Sequence, residues 1–178
     1  MIRRALFSMA IAATLAACVG GKNLSKEEQD RLRPYILESR PDVAHTKDVS
    51  FEDKVRLIGY KIEPESPAPG TDVKLTYYWQ VDQAPGDGWM LFTHVVPEGG
   101  QPQNLDNIGP LREPKEKKQL LGPERWERGK FYVDEQTYRV PETGGNFTVY
   151  VGIWKDVAGG PRMAIKNGGS DGENRADR

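Results

Sequence analysis

Apolar and polar positions alternate along Asp72 to Val81: Val73, Leu75, Tyr77, Trp79 and Val81 share one parity, and Lys74, Thr76, Tyr78 and Gln80 share the other. Successive side chains of a strand point to opposite faces, so this pattern predicts an antiparallel strand with one buried and one wet face. From Val49 onward, short runs rich in Val, Ile, Tyr, Phe and Trp predict further strands near Val55 to Ile62, Trp89 to Val96, Phe131 to Val140, Phe147 to Lys155 and Arg162 to Lys166. The Trp89 run is apolar at both parities and reads as a central strand. Pro67-Ala68-Pro69-Gly70, Ala84-Pro85-Gly86-Asp87-Gly88 and Glu142-Thr143-Gly144-Gly145 supply turn chemistry between these runs. No helical run long enough to cross between parallel strands separates them, which argues against a βαβ fold. The expectation is a mostly β, antiparallel sandwich.

Three segments break the alternation. Ser25-Lys26-Glu27-Glu28 carries a serine cap with a glutamate three residues on, and Leu32, Tyr35 and Ile36 follow at helical spacing until Arg40-Pro41. Pro34 removes one backbone donor, so the helix is expected whole or in two short pieces. Pro97 to Arg125 is long, polar and proline-rich, the profile of a functional or disordered loop, and its Lys115-Glu116-Lys117-Lys118 run reads as a solvated face. Asn167 to Asn174 has the glycine-rich composition of a flexible terminus.

At the start of the chain, Arg3 and Arg4 precede a short apolar run, Ala5 to Leu15, and two alanines precede the lone cysteine, Cys18. This is the layout of an export signal, too short to span a bilayer. Leu15-Ala16-Ala17-Cys18 resembles the lipobox of bacterial lipoproteins, which implies removal of residues 1–17 and acyl chains on Cys18 that hold the protein to a membrane surface. Val19 is not the aspartate that signals inner-membrane retention in such lipoproteins, so the resemblance implies the outer membrane of a bacterial envelope. The organisation expected is a signal at 1–17, a lipidated tether and short helix at 18–48, a sandwich domain at 49–166 and a flexible tail at 167–178.

Composition narrows the picture in two ways. The 25 basic and 26 acidic side chains give a net charge of −1, which offers no electrostatic case for nucleic acid. With Cys18 carrying lipid no thiol remains, so the fold stands without disulfides and no cysteine nucleophile exists.

The order Gly59-Tyr60, Pro69-Gly70, Leu75 with Trp79, Phe92-Thr93-His94, Asp106, Pro110, Trp126-Glu127-Arg128-Gly129, Asp134, Pro141, Phe147 with Val149, Val151-Gly152-Ile153 and Arg162-Met163 resembles a small immunoglobulin-like β-sandwich. Such domains occur in predicted bacterial envelope lipoproteins and at the periplasmic ends of glycosyltransferase-like membrane proteins. The resemblance implies an immunoglobulin-like fold; the short N-terminal helix near Ser25 and the glycine-rich tail lie outside it. The resemblance implies no reaction.

Chemistry is sparse. His45 and His94 lie outside any zinc-site spacing, and neither a Gly-x-Ser-x-Gly elbow nor a phosphate loop occurs. No cofactor or metal is implied. His94 alternates with Phe92 and Val96 and reads first as a structural, hydrogen-bonded histidine. The sharper reading joins His94 with Asp106, Trp126 and Asp134 as a ligand-binding cluster for a sugar or a metal ion, while Trp79 and Trp154 are expected to fill the core. Three functions follow in order of expectation. The first is a lipid-anchored, non-enzymatic adaptor that binds an envelope protein. The second is a carbohydrate-binding module for envelope glycans, resting on Trp89, Trp126 and the long loop. The third is an envelope hydrolase or transferase resting on His94 with Asp106 or Asp134.

Overall fold

A computed structural model describes residues 24–167 and 172–176, so the expected signal and Cys18 lie outside the described residues. The chain is mostly β. Its elements are α1 (Lys26–Leu32), a 3-10 turn (Arg33–Tyr35), β1 (Ile36–Leu37), β2 (His45–Phe51), β3 (Val55–Glu63), β4 (Asp72–Val81), β5 (Trp89–Pro97), β6 (Gln103–Asn104), β7 (Pro114–Lys115), β8 (Lys118–Gln119), a second 3-10 turn (Pro123–Arg125), β9 (Phe131–Arg139) and β10 (Phe147–Lys155). An antiparallel sheet in the order β1-β9-β4-β3-β2 faces a smaller one, β10-β5-β6, and their buried side chains form one apolar cluster. β7 and β8 make a separate hairpin.

The parity read from β4 sets the core. Val73, Leu75, Tyr77, Trp79 and Val81 are all buried, and their partners on β9, Tyr138, Gln136, Asp134 and Tyr132, bring the same face of β9 inward. The opposite face of β4 is less wet than alternation predicts, for Thr76 is buried and Tyr78 and Gln80 are half-buried. β3 shows why alternation alone is incomplete. Leu57 pairs with Trp79 but Gly59 pairs with Tyr78, leaving Ile58 as an extra residue in a bulge. The bulge moves the inward parity from Val55 and Leu57 to Tyr60 and Ile62. Gly59 is required there, because a Cβ would lie 2.6 Å from the His45 carbonyl oxygen.

Several expectations are corrected. His45–Phe51 is a strand that starts before Val49. The helix does come in two short pieces, one of the two expected forms, with α1 ending at Leu32 and Pro34 in the 3-10 turn, but Ile36–Leu37 pairs with β9 instead of extending it. The capping box at Ser25 and Glu28 is present as read. Arg162 to Lys166 is no continuous strand: Arg162 bridges Trp154 and Met163 donates to Ile153 on β10, whereas Ile165 bridges Phe51 and Lys166 donates to Ser50 on β2. The segment crosses from one sheet to the other and ties them together. The described part of the tail is docked as well, since Ala176 exchanges two backbone hydrogen bonds with Val151 and is 1% exposed.

The stretch 97–125 is the largest departure. Leu105, Leu111, Leu120 and Leu121 are buried and join the main core. These leucines recur with no regular period, so neither helical nor strand patterning reveals them.

Candidate functional site

The four residues expected to converge divide into two places. His94 points outward from β5 and is about one-third exposed, with its Nε2 at 3.7 Å from Asp106 Oδ1, beyond hydrogen-bond length. Asp106 is already engaged: Oδ1 accepts from the Thr93 amide at 2.8 Å and Oδ2 from Asn104 Nδ2 at 3.0 Å. Its first task is to close the edge of β5.

Trp126 and Asp134 lie inside. Trp126 is 2% exposed, stacks on Tyr132 at 4.7 Å and donates from Nε1 to the Leu121 carbonyl. Asp134 is fully buried and takes a bidentate contact from Arg112, Nε to Oδ1 at 3.0 Å and Nη2 to Oδ2 at 2.7 Å. Neither offers a face to a ligand, because inward parity on β9 and the fold of the long segment bury them. Trp89 is also 9% exposed, with the Lys155 ammonium over its ring. The expected recognition surface of Trp89 and Trp126 is therefore absent. The histidine and the two aspartates do not form one open constellation.

Sequence reasoning passed over Arg112 as the partner of Asp134. It lies in a polar stretch with no pattern to mark it as buried. Trp154 is the other correction. Val149, Val151 and Ile153 are the buried parity of β10, so Trp154 falls on the outward face, half-buried beside its partner Met90. That parity was legible in Phe147–Lys155.

Trp154 and Met90 line a cleft of about 450 Å³ between the outer face of the smaller sheet and the long segment. Asn104, Asp106, Asn107, Lys117, Lys118, Gln119 and Asp156 also line it. Part of this rim is committed to the fold. The Gln119 amide spans Leu91, accepting from its N–H and donating to its carbonyl, and also donates to the Asp106 carbonyl. Lys118 pairs with Glu124 at 2.9 Å. Asn107, Lys117 and Asp156 have no side-chain hydrogen bond or ion pair among the described residues. They are exposed, and thus available.

Two other clefts are less apt. One of about 630 Å³ holds Arg40 and Arg56, but Arg56 is paired with Asp48 and Asp82 and Arg40 with Gln80. Another of about 310 Å³ joins Ile62, Pro67, Pro69 and Phe147 with Glu65 and Asn146. Among the described residues no group of three His, Cys, Asp or Glu is placed to hold a metal ion, and no helix is long and apolar enough to cross a membrane. The chain matches no family model, and no curated protein matches it.

Proposed function

We propose that this protein is a lipid-anchored, non-enzymatic accessory of the bacterial envelope, held to the outer membrane by acyl chains on Cys18 and working as an adaptor that binds an envelope protein. The two sheets are read as an immunoglobulin-like sandwich, a reading supported by their shared core and by the segment 162–167 that passes between them.

The observation that carries the adaptor reading is the seating of α1. Leu24 and Leu32 are buried in the core, Lys115 Nζ meets Glu28 at 2.7 Å, and Arg31 meets Glu113 at 2.6 Å. The Lys115 hydrogen bond, chiefly, holds the Glu28 carboxyl below its ordinary range. Only the residues between Cys18 and Leu24 then separate lipid from domain, a reach of roughly 20 Å even when extended. An anchor joined so closely to a seated helix presents one side of the domain at a set height, as suits docking to a membrane neighbour.

The test is cross-linking of intact cells carrying the wild type or Cys18→Ser, followed by mass spectrometry of the purified protein and its attachments. The expected outcome is an acylated Cys18 and a discrete envelope protein captured only by the anchored form. Unmodified Cys18, or equal capture by both forms, would sink the proposal.

A further inference from the structure

We propose that the cleft floored by Trp154 and Met90 binds an uncharged saccharide. The inference is independent of the adaptor reading, which stands or falls on captured protein.

Three features of the cleft choose the ligand. Its floor is an indole beside a thioether on adjacent strands, paired as Trp154 and Met90. Such a floor removes the apolar face of a sugar ring from water while leaving its edges to polar groups. Among the described residues its free groups are one ammonium, Lys117, one carboxylate, Asp156, and one amide, Asn107. A carboxylate accepts from hydroxyls, an ammonium donates to them, and an amide does both, which matches the mixed donors and acceptors around a sugar. Among the described residues one free cation and one free anion leave the available rim electrically balanced. An acidic or basic ligand would gain at one end and be repelled at the other. The volume of about 450 Å³ lies within the roughly 300–1,000 Å³ range of small-molecule clefts.

The backbone argues against a peptide. An extended peptide gains affinity by pairing with an open strand edge. At this end of the sheet the β5 edge is closed by Gln119 at Leu91 and by Leu105 and Asp106 at Thr93. The β10 edge is closed by Pro161 at Lys155 and Met163 at Ile153. A ligand here must be held by side chains, as sugars are.

The test is titration calorimetry of the full chain in detergent with triacetylchitotriose and with maltotriose as probes, against trigalacturonate and penta-alanine as comparators. We expect saturable binding of at least one neutral probe with Kd below about 1 mM. Raising the salt from about 50 to 500 mM should change it less than twofold, since the ligand carries no charge to screen. Lys117→Gln and Asp156→Asn should each weaken binding roughly tenfold to a hundredfold, as expected for loss of a hydrogen bond to a charged group. Both residues are exposed, so these variants read the site without disturbing the core. Trp154→Leu, which keeps apolar bulk, should abolish binding while thermal unfolding stays cooperative. Failure of both neutral probes to bind overturns the proposal, as does binding that both polar variants leave unchanged. Tighter binding of trigalacturonate or penta-alanine overturns the ligand class.

Discussion

Among the described residues, Arg112 and Asp134 form the ion pair whose guanidinium and carboxylate are both fully buried. Taking two ions out of water costs several kcal/mol each, and only mutual pairing offsets it. One nitrogen, Arg112 Nη1, has no hydrogen-bond partner among the described residues, so the compensation is incomplete. Arg112→Met should therefore lose about 3–5 kcal/mol by stranding Asp134, whereas the double change Arg112→Met with Asp134→Leu should recover most of it. Urea denaturation of the three proteins decides; a single-variant loss under about 1 kcal/mol would show the pair to be dispensable. Tyr132 gives a second residue-scale signature. Burial pushes its hydroxyl from 10.0 up to about 12, although the hydrogen bond accepted from the Glu127 amide pulls the other way. Between these values the unfolded chain has released the proton and the folded chain retains it. The folded state therefore binds more protons, and stability falls as pH rises through that window. The loss due to this group is about 2–3 kcal/mol by pH 12. Wild type compared with Tyr132→Phe at pH 9 and pH 11.5 should show an alkaline loss in the wild type that the phenylalanine variant lacks in part; equal losses would remove Tyr132 as its source.

At the scale of elements, the edge of β5 is closed residue by residue. β6 pairs with His94 and Val95, the Leu105 amide and the Asp106 carboxylate serve Thr93, and the Gln119 side chain serves Leu91. An open edge invites pairing with another chain, and here the long segment removes that opening. Gln119→Leu keeps the volume and strands the Leu91 N–H and carbonyl, with an expected loss of roughly 2–4 kcal/mol. Amide exchange at Leu91 should rise along with that loss. A change below about 0.5 kcal/mol with protected Leu91 would mean that the strand edge is closed by other means. The glycine opposite Phe92 belongs to the same sheet: a Cβ on Gly152 would lie 2.5 Å from the Phe92 ring, so the outer face tolerates no side chain there.

Across the whole molecule, strand type and position were legible because β4, β5, β9 and β10 carry alternation or apolar density that local patterning detects. The helix cap at Ser25 was legible for the same reason, since a capping box spans only four residues. The candidate cleft was only partly visible. Asp106 stands among the candidate ligands and the Lys115–Lys118 run reads as a solvated face, but Trp154 reads as a core residue, and Asn107 and Asp156 carry no signal. What lies beyond local pattern is contact between residues far apart in sequence. Arg112 meets Asp134, Glu28 meets Lys115, and Asn167 takes the Ser50 amide, each across a separation that no period encodes. The sequence by itself determined the antiparallel strands, the inward parity of β4 and the short capped helix, because each follows from neighbours within a few residues. Tertiary structure alone decided that the long polar segment is a packed wall, that the last strand-like run splits between sheets, and that Trp126 and Asp134 are buried while Trp154 faces the cleft. Burial depends on what the rest of the chain brings against a side chain, and that is settled only when the sheets close.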